Sequence, residues 1–91
     1  MKSEEFLDKK LKETFEMFSD VKDLEIKYEH NKENNSHIIE ISPLSFYNKN
    51  NKFMVREMDI EQQFQELYPK ETILFVTEKS LTKVTNPHLT L

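Results

Sequence analysis

Apolar and polar residues alternate strictly over 24–30, with Leu24, Ile26, Tyr28 and His30 on one side and Glu25, Lys27 and Glu29 on the other. That period predicts a strand with one buried face. A second strand is predicted over 37–42, stopped by Pro43, and residues 31–36 join the two as a hairpin. Its register follows from matching the apolar faces, because a slip of one residue would turn one set outward. Tyr28 then meets Ile39 and Ile26 meets Ile41, while Lys27 faces Glu40 on the outer side. The same register sets His30 across from His37 at the mouth of the loop.

Elsewhere the period lengthens. Leu7, Leu11, Phe15 and Phe18 share one face of a helix, with Phe6 and Thr14 at its margins. Ser3 is its expected N-cap, Glu4 and Glu5 suit the positive first turn, and the end is expected near Ser19 and Asp20. A second helix is predicted over 60–68 with Ile60, Phe64 and Leu67 inward, opened by a capping box of Asp59 with Gln62 and ended by Pro69. Between these, the alternation of Leu44 and Phe46 predicts a short third strand over 44–47. An asparagine-rich loop follows, and 53–56 is expected to be extended or loop, the rival reading being a second helix that already starts near Phe53.

Thr72–Thr77 holds the chain's only uninterrupted run of four large apolar residues, Ile73 to Val76. Such a strand needs cover on both faces, so it is expected inside the sheet, at the end of a helix-to-strand crossover. Residues 78–84 are open to a helical turn or a return strand that presents Leu81 and Val84, and 88–91 should be a frayed tail. If 78–84 does not fold back over Ile38 and the far face of this strand, a second copy of the chain would have to, which makes a homodimer a candidate.

The result is a single small α+β domain over 1–91, ordered helix-strand-strand-(strand)-helix-strand, with a mixed sheet of three to four strands and two helices. In outline this order resembles the core of the PD-(D/E)xK nuclease-like fold and that of a double-stranded-RNA-binding domain. Where the first would carry Glu-x-Lys, this chain has Glu40-Ile41-Ser42, with Glu29 standing in for an aspartate. Where the second would carry lysines at the start of its last helix, acidic residues stand. No family is assigned on either ground.

Composition narrows the chemistry. The chain has no glycine, which removes phosphate-cradling loops, dinucleotide turns and nucleophile elbows, all of which need close backbone approach. Positive φ should then fall on Asn34–Asn35 and on the Asn48–Asn51 run. No cysteine means no disulfide or thiolate site, in keeping with a cytoplasmic setting, and no apolar stretch is long enough for a membrane span. The net charge of −4 equals the local contribution of Glu57, Asp59, Glu61 and Glu66, which lie in a stretch without a basic residue between Arg56 and Lys70. With no basic stripe, nucleic acid is not an expected partner.

His30 and His37 are the candidate metal pair, but no third ligand is assigned by spacing, so they are read as surface histidines at a hairpin end. No cofactor is implied and no catalytic constellation stands out. The expected function is a small acidic protein-protein interaction module, of the immunity or antitoxin kind and not an enzyme. Phe46, Tyr47 and Phe53 would serve as aromatic anchors, and Glu57, Asp59, Glu61 and Glu66 would face another protein, a basic one. The alternative is a divalent-metal-dependent hydrolase or nuclease-like protein using Glu29 and Glu40.

Overall fold

The structure, a computed structural model, describes residues 2–91. Its hairpin pairs β1 (Glu25–Asn31) with β2 (Ser36–Ser42) antiparallel, Tyr28 against Ile39, Ile26 against Ile41, Lys27 against Glu40 and His30 against His37. This is the register expected from the apolar alternation. At the loop, Asn35 takes positive φ, as does Asp23 ahead of β1, and the Asn48–Asn51 run does not. Ile26, Tyr28, Ile39 and Ile41 are fully buried beneath the helices.

The helices differ more from expectation. α1 (Ser3–Met17) buries Phe6, Leu7, Leu11 and Thr14, while Phe15 is only half-buried. Lys2, not Ser3, occupies the N-cap, which frees the Ser3 hydroxyl for a tertiary bond. Residues 44–47 do not form a strand. They lie in α2 (Leu44–Lys49), begun by the Phe46 and Tyr47 amides bonding the Pro43 carbonyl, so Leu44 and Tyr47 sit one turn apart. Residues 53–56 are not extended either, because α3 runs Asn51–Leu67 with the Asn50 side chain accepting from the Phe53 amide. The signal lay in Asn50 as cap and in Phe53, Ile60 and Phe64, whose spacings of seven and four share one helical face. Leu67, expected to point inward, is exposed, and the Tyr68 ring packs against Phe6 and Phe64.

β3 (Thr72–Thr77) runs parallel to β2, and β4 (Leu89–Thr90) pairs antiparallel with β1, so the mixed sheet has the order β3-β2-β1-β4. The apolar strand is thus an edge strand and not an internal one, and the tail is tied down by Ile26 and Leu91 exchanging backbone bonds. The helix side of β3 is nonetheless covered, and the far side is covered at Val76 but not at Leu74. Ile73 and Phe75 lie in register with His37 and Ile39 on the helix side. On the far side Val76 is buried where residues 78–86 cross back toward β4, as neither helix nor strand. That crossing is fixed by carboxylates. Glu40 Oε1 accepts from the Val84 amide, and Glu29 Oε1 accepts from the amides of Thr85 and Asn86.

Candidate functional site

Two ends of the helix-covered face collect the chain's chemistry. At one, Phe18, Phe46 and Phe53 meet edge to face, with Tyr47 beside Phe53. Phe53 is 2% exposed, so it cannot act as the surface anchor expected of it, and Phe46 and Tyr47 are half-buried against it. The reason is that both helices turn these rings toward the core. Of the acidic set, Glu57 accepts the Tyr47 hydroxyl at 2.9 Å and is half-buried. Burial pushes its carboxyl above the usual range, against the pull of the Tyr47 bond. Asp59 and Glu66 are exposed and Glu61 is half-exposed.

The opposite end gathers all three histidines. His37 is wholly buried, overturning its reading as a surface residue, because it shares the parity of Ile39 and Ile41. Its Nδ1 lies 2.6 Å from the Tyr28 hydroxyl and its Nε2 lies 2.7 Å from Glu71 Oε1. Ser3 donates to the same Glu71 oxygen at 2.7 Å. A carboxylate only accepts, so Nε2 carries the proton and Nδ1 accepts from Tyr28. Burial pushes the His37 imidazole below its ordinary value, outweighing the Glu71 bond, so a neutral ring faces an ionised acid. Burial raises the Glu71 carboxyl, yet the bonds from His37 and Ser3 outweigh it and hold the group below its ordinary range. Burial also raises Tyr28, which keeps its hydroxyl a donor.

His30 stacks on His37 at 4.0 Å with an 18° tilt, and its Nδ1 donates to Glu4 Oε2 at 2.9 Å. This bond is the main reason the Glu4 carboxyl is lowered. His88 lies edge-on to the Tyr28 ring at 4.3 Å and 3.3 Å from Asp8 Oδ1. A cleft of about 540 Å³ opens beside the group, lined by Ser3, Glu4, His30, Lys32, Tyr68 and Glu71 among others.

This geometry tests two chemistries. His30, His37 and Glu71 bring one donor atom each within 4.8 Å of one another, as do Glu4, Asp8 and His88, so the histidine pair gains the third partner its spacing lacked. A metal ion, however, lies along the in-plane lone pair of each imidazole it binds. Stacked, near-parallel rings direct those lone pairs side by side, and both His37 nitrogens are already engaged. Ser3, His37 and Glu71 do not form a nucleophilic triad either. In a triad, the nucleophile and the acid sit on opposite ring nitrogens of the histidine base, whereas here serine and acid converge on Nε2 and tyrosine holds Nδ1. The cluster is a buried hydrogen-bond network joining α1, the hairpin and the entrance to β3. Among the described residues, His30 Nε2 is its buried atom without a partner.

The spacing that paired His30 with His37 was visible in the alternation, but Ser3 and Glu71 reach the network from 34 residues away on either side and left no local signal. Glu29 and Glu40, the alternative catalytic pair, lie on the other face and bind the amides of 84–86. Comparison of the chain with protein-family models, with curated proteins and with solved structures finds no match.

Proposed function

We propose that this protein is a non-catalytic interaction module whose docking face is the outer side of α3. The observation that carries the reading is a group of large apolar side chains left in solvent there, Met54 at 47%, Val55 at 67% and Met58 at 64% exposure. Spacings of three and four make these three neighbours on one helical face. Asp59, Glu61 and Glu66 follow along the same side, in the stretch without a basic residue. An apolar centre with an acidic rim suits a partner protein that offers an apolar recess ringed by lysine or arginine. Methionine adapts its shape to such a recess at little cost. An acidic module that covers a basic target is the reason for reading the role as immunity- or antitoxin-like, in a cytoplasmic setting. Phe46, Tyr47 and Phe53 serve this face from below, by fixing α2 and α3 against the core.

Capture from native lysate with immobilised wild type, Met58→Glu, and Asp59→Lys with Glu66→Lys tests the reading, with Lys83→Glu as a control. The expected result is a basic protein retained by wild type and control, released by moderate salt, and lost with both α3 variants. If all four baits retain the same proteins, the α3 face is not the docking surface.

A further inference from the structure

The outer edge of β3 is open over a short and defined window. Parallel pairing with β2 uses alternate residues, and the Thr72 amide bonds the Asn35 carbonyl at 3.0 Å, so Leu74 and Val76 also turn their backbone groups toward β2. Residues 71, 73, 75 and 77 therefore turn theirs outward. The Glu71 amide is taken by the Tyr68 carbonyl at 3.1 Å, and the Thr77 amide by Ser80 Oγ at 3.0 Å. Ile73 and Phe75 lie between these caps, and their outward amides and carbonyls have no partner among the described residues. The usual protections of an edge are missing, since Thr72–Thr77 has no charge and no proline. The opposite edge is closed differently, by a two-residue β4.

We infer that β3 pairs antiparallel with the β3 of a second copy of this chain, with the two-fold axis at Leu74. Directly opposed residues must point to the same face, so a symmetric pairing has to centre on a residue. Centring on Phe75 would need the Thr77 amide, and centring on Ile73 would need that of Glu71, and both are capped. Only Leu74 lets Ile73 of each copy exchange both backbone bonds with Phe75 of the other. Leu74, 44% exposed, then meets its own counterpart across the axis. Lys70 lies two residues before the strand and Glu78 one after it, so the same pairing brings each lysine toward the other copy's glutamate. The two sheets become one, and two α3 faces are presented on the same side, which raises avidity for any target with repeated sites. The contact is a strand edge and not a broad face, so the dimer is a concentration-dependent one.

Sedimentation equilibrium over a concentration series, with cysteine cross-linking, tests the inference. Wild type should move from 11.0 kDa toward twice that mass as concentration rises. Leu74→Lys, which sets like charges across the axis while its side chain stays in solvent, should remain monomeric with an unchanged circular dichroism spectrum. Lys70→Glu should weaken the dimer, and Lys70→Glu with Glu78→Lys should restore it. Opposed residues at the axis have Cα atoms about 4.5 Å apart, within disulfide reach. The chain has no other cysteine, so Leu74→Cys should cross-link on mild oxidation and the fully exposed Leu81→Cys should not. A wild type that stays monomeric to hundreds of micromolar, a Leu74→Lys protein that still dimerises, or equal cross-linking at 74 and 81 would each overturn the pairing. None of these outcomes bears on the α3 face, which Met58→Glu probes separately.

Discussion

The two ends of the sheet's covered face hold the same hairpin, yet they are stabilised by different physics. At the Glu25–Ser42 end the contacts are rings on rings, Phe18, Phe46 and Phe53. At the His30–His37 end they are directional bonds among Tyr28, His37, Glu71 and Ser3. α1 spans both, with Ser3 at the polar end and its C-cap residue Phe18 at the aromatic one. Apolar burial is non-directional and these rings carry no titratable group, whereas a buried polar network depends on every partner being present and on their protonation. One end therefore supplies bulk stability, and the other fixes how α1, the hairpin and β3 meet.

The comparison breaks most visibly at the aromatic end. Phe53→Ala should cost about 3–5 kcal/mol in urea unfolding, since it empties a fully packed position. At the polar end, Tyr28→Phe keeps the ring but leaves His37 Nδ1 without its donor, and should cost about 1–3 kcal/mol by the same measurement.

The pH dependence separates the ends further. The folded pKa of His37 lies below its ordinary 6.5, so the unfolded chain takes up this proton first. Stability is then full above about pH 6.5 and falls as the solution is acidified toward the folded value. Glu4, Glu29 and Glu71 lie below their ordinary 4.5 and extend the loss at lower pH. In a series of urea titrations from about pH 7 to pH 3, His37→Gln should flatten the upper part of this profile and leave the share of the lower part that Glu4 and Glu29 contribute.

The smallest effect has the opposite sign. The Glu57 carboxyl is raised above 4.5, so what its protonated form contributes is present below that pH and lost as pH rises through the folded value. Glu57→Gln keeps an acceptor for the Tyr47 hydroxyl and should give a small gain in melting temperature at pH 7 and none at pH 4.

Much of this contrast was legible in part. The alternation over 24–30 and 37–42 gave the hairpin and its register, including the His30–His37 pair, because a strand's two faces are written residue by residue. The same rule misled at Leu44 and Phe46, where two residues are too few to separate a period of 2 from one of 3.6. Preferring Asp59 as the cap set aside the rival helix start near Phe53, and with it the longer helix that Asn50 opens and the burial of Phe53. His37 carried its own correction, since its parity with Ile39 pointed it inward, but nothing near it in the chain announced Glu71 or Ser3.

By itself, then, the sequence determined what depends on neighbours: the hairpin and its register, an amphipathic α1, an apolar strand at Thr72–Thr77, and an acidic stretch after Arg56. Tertiary structure decided what depends on closure across the chain. Glu29 and Glu40 draw 84–86 across the far face, which carries β4 to the edge of β1. That leaves β3 at the other edge, with its outward amides open between Tyr68 and Ser80. Which edge is closed is a matter of where a distant segment lands, and hydrophobic periodicity carries no record of that.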